Sequence, residues 1–107
     1  MIQDLKYYEQ AQAESRYHVF DFTADLIGGG VLLSATATLT SPSGAAVSPA
    51  PTASVDAANN LVYVLVTGAT HLATLGDYRL TCLPLADNLG SLSNETLGAS
   101  RVIRVNL

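Results

Sequence analysis

The sequence predicts an all-β sandwich of about seven strands, preceded by an N-terminal arm. Three observations lead there. Short apolar runs alternate with polar residues at period two, the pattern of half-buried strands. Clusters of Gly, Pro, Asn, Asp and Ser separate those runs and supply turns. No segment carries a convincing helical stripe. Composition agrees: of 107 residues, 49% are apolar and only 13% charged, against about 25% charged in an average domain. An apolar content this high argues against disorder. Ser, Thr and Ala stand where charge is missing, which suits a polar but uncharged surface. A single domain of this length can bury one core without covalent staples.

Residues 1–16 read as the arm. They are polar, and Tyr7 and Tyr8 are adjacent, which is not helical spacing for one face. The arm offers little to bury, so it is expected to order on a neighbouring molecule. Deleting it should then leave a folded domain, residues 17–107. Strand character begins at residues 17–22, with His18, Phe20 and Phe22 on one face. Gly28-Gly29-Gly30 is a flexible break. Residues 31–40 form the clearest strand, with Leu33, Ala35, Ala37 and Leu39 expected in the core. Ser41-Pro42-Ser43-Gly44 is a turn, with Pro and Gly at its second and fourth positions. Pro49 and Pro51 confine the next stretch to an edge or loop.

A short strand at 53–55 precedes a turn at 56–60. Residues 61–67 are β-branched and aromatic, as in a central strand. A link over 68–76 leads to a strand at 78–83, with Tyr78, Leu80 and Cys82 on one face. Residues 84–98 read as a long loop. Residues 100–107 close the chain with Ile103, Val105 and Leu107 together.

Charge restricts the partners. The net charge is −4, and the first 25 residues hold five acids and two bases, so −3 of it lies there. Lys6, Arg16, Arg79, Arg101 and Arg104 are scattered along the chain. Nucleic acid and anionic membrane surfaces need clustered cations, so neither is an expected partner. The single Cys82 precludes an internal disulfide, which fits a reducing compartment. Residues 1–20 lack the apolar stretch of a secretory signal.

No catalytic pattern stands out. His18 and His71 fall in no metal-binding spacing, and one cysteine cannot build a structural zinc site. No Gly-x-Ser-x-Gly elbow occurs. The Gly28–Gly30 triplet is followed by an apolar strand with no Lys, unlike a phosphate loop. Asp21 and Asp25 read as solvated or turn-capping groups, and Cys82 as a small buried hydrophobe. The expected chain is not an enzyme and takes no cofactor or metal.

Gly76-Asp77-Tyr78 is more informative. A Gly-Asp turn followed by a Tyr entering a strand resembles the tyrosine corner of Greek-key sandwiches, whose hydroxyl bonds back to the backbone upstream. In antibody domains that Tyr lies two residues before a cysteine. Here it lies four before Cys82, and the chain has no Trp. With the strand count, this narrows the expectation to an immunoglobulin-like Greek-key sandwich in the broad sense. Gly76, Asp77 and Tyr78 are its expected structural residues.

Three segments together resemble small virion proteins of tailed bacteriophages. They are Lys6-Tyr7-Tyr8-Glu9-Gln10 leading to Arg16-Tyr17-His18-Val19-Phe20-Asp21-Phe22, then Leu33-Ser34-Ala35-Thr36-Ala37-Thr38-Leu39, then Gly76-Asp77-Tyr78-Arg79-Leu80-Thr81-Cys82. The resemblance spans most of the chain and rests on fold-like motifs. It implies a structural subunit of the phage particle, assembled in the host cytoplasm in multiple copies. Capsid decoration or cementing is the favoured role, with a neck or tail adaptor as the alternative. The expected partners are other virion proteins, the major capsid protein or neck and tail components. Tyr7, Tyr8, Glu9, Glu14 and Tyr17 are the expected partner-binding residues, because Tyr combines contact area with a hydrogen-bonding tip. A different class, an adhesin-like host-surface module, would use loops 41–60 and 85–97.

Overall fold

A computed structural model of the chain describes residues 7–26, 30–87 and 95–107. These residues form an all-β sandwich. Its strands are β1 (Tyr7–Ala11), β2 (Ser15–Asp21), β3 (Val31–Thr40), β4 (Thr52–Asp56), β5 (Leu61–Thr67), β6 (Gly76–Asp87), β7 (Glu95–Thr96) and β8 (Ala99–Asn106). One sheet has the order β1-β8-β6-β3, with β7 also on β6, and the other has the order β2-β5-β4. Every pairing is antiparallel except that of β1 with β8.

Period-two alternation builds the core between the sheets. Val62, Val64 and Val66 of β5 are fully buried, and His18, Phe20 and Phe22 on and after β2 face the same way. The opposing sheet contributes Leu39, Tyr78, Leu80, Cys82, Ile103 and Val105. Each large apolar side chain removed from water in this way stabilises the fold by about 1.5–3 kcal/mol.

The edge of the larger sheet departs from the sequence expectation. Over its described residues, the segment expected as an arm belongs to the sandwich. Residues 7–11 pair in parallel with β8, from Tyr7 opposite Val102 to Ala11 opposite Asn106, and Ser15 and Arg16 open β2. Removing residues 1–16 therefore removes a strand. An apolar count misses β1 because backbone hydrogen bonds and a buried amide hold it, not apolar side chains. Residues 1–6 lie outside the described residues, as do Gly28 and Gly29 of the expected glycine break.

Three further differences have local causes. In β3 the register shifts between Leu32 and Ser34. One extra residue reverses the phase of the strand, so Leu32 is buried while Leu33 is 49% exposed. Ala37 and Leu39, beyond the bulge, face the core as expected. Leu107 lies past the last pair of the ladder and is 93% exposed. Of the expected loop over 84–98, residues 95–96 form β7, residues 88–94 lie outside the described residues, and residues 84–87 continue β6, with Pro84 and Ala86 facing inward. Proline fits there because β8 stops pairing at Cys82 and β7 starts at Leu85. The missing N–H of Pro84 faces this gap, on the same side as its carbonyl, which accepts from the Leu97 N–H at 2.9 Å.

The link after β5 contains a short helix, α1 (Gly68–His71). Its first residue lies directly under the β1–β2 turn, where the Gly68 N–H donates to the Glu14 carbonyl at 3.0 Å. A Cβ on Gly68 would fall on the Gln12 carbonyl oxygen and 2.8 Å from that of Glu14. Backbone meets backbone there, and neither side can yield cheaply. Gly68→Ala is expected to destabilise the fold by about 1–3 kcal/mol, the usual cost of overpacking. Denaturant unfolding of the two proteins measures it.

Candidate functional site

Two features could carry function: a buried polar hub between β1 and β2, and the outer face of the smaller sheet.

The hub starts from strand phase. Gln10 on β1 and His18 on β2 both point inward and are buried. The Gln10 amide nitrogen donates to the carbonyls of Glu14 at 2.8 Å and Val66 at 3.1 Å. Its oxygen lies 2.9 Å from His18 Nε2. Because that oxygen only accepts, His18 must carry its proton on Nε2. Burial, followed by the charges of Arg101 and Arg16, pulls the His18 pKa down from 6.5 to about 4. The imidazole is therefore neutral in the fold.

Arg101 of β8 is also buried. Its guanidinium lies 3.8 Å from the Phe20 ring centroid and 4.4 Å from that of Tyr8, and donates to the Val19 carbonyl at 2.6 Å. Cation–π contact suits a guanidinium out of water. Gln10 and Arg101 thus each reach from the larger sheet to a carbonyl of the smaller one.

The outer face of the smaller sheet is apolar at its centre. Tyr17 is 61% and Val19 40% exposed on β2, and half-buried Leu61, Tyr63 and Leu65 lie beside them on β5. The register sets Tyr17 opposite Leu65, and Val19 opposite Tyr63. The two tyrosine rings meet edge to face at 6.4 Å. Asp21, Leu61 and Asp56 form the row at one end, and Ser54 and Thr52 lie along β4.

The expected partner-binding residues are thus divided. Tyr8 covers Arg101, the Glu9 carbonyl accepts from Arg16, and Glu14 bonds to Arg16 and to the β1 backbone. These contacts are internal. Tyr7 is described only as backbone in β1. The Glu9 side chain is exposed on the outer face of the larger sheet, opposite in phase to buried Gln10, and Tyr17 projects outward from the smaller sheet. The sequence reading passed over Val19, Leu61, Tyr63 and Leu65 as site residues. For the three β5 residues the signal was the unbroken apolar run of residues 61–66, in which both strand phases are apolar.

The corner at Tyr78 has the expected geometry. Its buried hydroxyl donates to the Thr74 carbonyl at 3.0 Å and accepts from the Thr74 N–H at 3.2 Å. Gly76 adopts φ +123°, and a Cβ there would lie 3.0 Å from Pro42. Asp77 pairs with Arg104 at 3.0 Å, a bond that lowers its carboxyl pKa.

Reactive groups elsewhere are quiet. Burial pushes the Cys82 thiol up to about 12, so no thiolate forms at neutral pH. His71 Nδ1 accepts from the Thr67 N–H at 2.9 Å, and burial lowers its pKa. Among the described residues, no three His, Cys, Asp or Glu side chains gather as metal ligands would. No protein-family model matches the chain, and no curated protein matches it in sequence.

Two measurements test the hub and the corner. The unfolded chain protonates at His18 near pH 6.5, and the folded chain only near pH 4. The stability held by neutral His18 is therefore complete above 6.5 and is lost progressively as pH falls toward 4. Thermal melts across this window should show the loss in the native chain, and His18→Gln should reduce it, leaving the share of His71, whose pKa burial also lowers. Tyr78→Phe is expected to cost about 1–2 kcal/mol, as a buried hydrogen-bonding group at Thr74 loses its partner. Urea unfolding reads that loss.

Proposed function

We propose that the chain is a non-enzymatic structural subunit of a tailed-phage particle, a capsid decoration or cement protein. The outer face of the β2-β5-β4 sheet docks on a neighbouring virion protein. The observation that carries this reading is the exposed apolar centre formed by Tyr17, Val19, Leu61, Tyr63 and Leu65. Interface cores favour such faces, because aromatic and aliphatic groups lose water there without stranding a charge. Asp21 and Asp56 at one end give the partner surface an expected character: apolar, with a cation opposite that row. The segment resemblance supplies the phage context, and the strand orders support an immunoglobulin-like form of the sandwich. They match the BED and GFC partition of such domains, with β1 added alongside G.

The adhesin alternative would place its sites in the loops, and this face itself does not suit a sugar. A sugar platform needs convergent hydrogen-bonding groups, and the depression between Tyr17 and Tyr63 offers the Ser54 hydroxyl alone among its lining side chains, apart from the tyrosines' own.

Quantitative mass spectrometry of purified particles tests the assignment. Capsid-scale copy number is expected, ring-scale copy number would replace decoration with a neck or tail adaptor, and absence would overturn the reading. Adding back purified Tyr17→Ser/Tyr63→Ser protein to particles lacking the subunit tests the face. Occupancy should fall about tenfold or more, equivalent to about 1.4 kcal/mol or more of lost binding, while the melting profile stays that of a folded sandwich. Undiminished occupancy removes this face from the interface.

A further inference from the structure

The open edge of β1 is already occupied, by side chains of its own chain. Among the described residues, β1 ends the larger sheet and pairs on one side only, with β8. The Gln12 N–H donates to the Asn106 carbonyl at 2.7 Å, which fixes the phase of the strand. Even-numbered residues turn their backbone groups toward β8, and Glu9 and Ala11 turn theirs outward. An outward-facing row of this kind is a template on which another strand can add.

Two side chains from just beyond the β1–β2 turn cover it. Arg16 Nη1 donates to the Glu9 carbonyl at 3.1 Å. The Ala11 N–H donates to Glu14 Oε1, also at 3.1 Å. Arg16 Nη2 and Glu14 Oε2 then bond to each other at 3.2 Å. The guanidinium takes the place of a neighbouring strand's N–H, and the carboxylate that of its C=O. Neither charged group is bonded to the outer face of the smaller sheet, so this arrangement is independent of the docking role given to that face.

The geometry points to Glu14 and Arg16 as an edge guard that stands in for a missing strand, and to β1 of a second copy as the strand it keeps off. A second copy fits because the edge presents an acceptor at Glu9 and a donor at Ala11 on one side. Two such edges running antiparallel satisfy each other. The side chains that guard each edge, once displaced, are of opposite charge and can pair across the junction.

Sedimentation measurements on the purified chain test the guard. The native chain is expected to keep one mass as its concentration rises. Glu14→Ala/Arg16→Ala is expected to remain folded and to increase in mass with concentration. Adding Glu9→Pro removes the outward Glu9 N–H and sets a ring in the path of any strand added there, without touching the β8 ladder, and should return the mass to that of the native chain. A folded double variant with unchanged mass overturns the proposal, and so does association that survives Glu9→Pro. If the double variant does not fold, amide exchange in the native chain decides. Raising salt should speed exchange at Ala11 by up to about fivefold, because an exposed ion pair is screened. Gln12, bonded to backbone, should keep its protection. Equal behaviour of the two amides also overturns the guard.

Discussion

One buried amide organises this sandwich. Gln10 sits in the interior, where an unsatisfied polar group costs about 1–3 kcal/mol. It meets that requirement by joining three places: the β1–β2 turn at Glu14, the central strand of the other sheet at Val66, and the imidazole of His18. Each bond constrains the next. The Glu14 carbonyl also receives the Gly68 N–H, so the turn is fixed from below as well. The His18 ring is held in one tautomer and kept neutral. Arg101 repeats the arrangement nearby, with aromatic faces on its guanidinium and the Val19 carbonyl as its acceptor.

This internal wiring divides the N-terminal region by role. Side chains that point inward or along the β1 edge serve the fold. Those that point outward from β2 join the apolar face built by β5. The low charge of the chain acquires a location through this division. Arg101 is taken into the interior, Asp21 and Asp56 sit at one end of the smaller sheet, and the centre of that sheet's outer face has no charged group.

Much of the sandwich could be read from residue order because its causes are local. Alternation placed Phe20, Phe22, Leu80 and Cys82 on core faces, the β-branched run at 61–67 marked a central strand, and the Gly76-Asp77-Tyr78 turn announced a hydroxyl bond to the backbone upstream. Other features depend on partners far along the chain or on a single inserted residue. β1 looked unsupported because its support is Gln10 and a ladder on β8, neither of which registers as apolar periodicity. Leu32 and Leu33 are chemically identical neighbours, so nothing in their order reveals where the bulge reverses the strand. The apolar outer face was written into residues 61–66, but it takes β2 laid alongside to bring Tyr17 to Tyr63.

The parallel pairing of β1 with β8 has a consequence for biosynthesis. Residues 7–11 find their register partners at 102–106, so the first described strand cannot be seated until the last has left the ribosome. The smaller sheet needs only residues up to 67 and is available much earlier. A nascent chain can therefore hold a preformed half-sandwich with the Gln10 hub still open, and closure of the hub waits for residues 102–106. Pairing over so long a loop is entropically costly. It ties the ordering of β1 to the emergence of β8 rather than to its own.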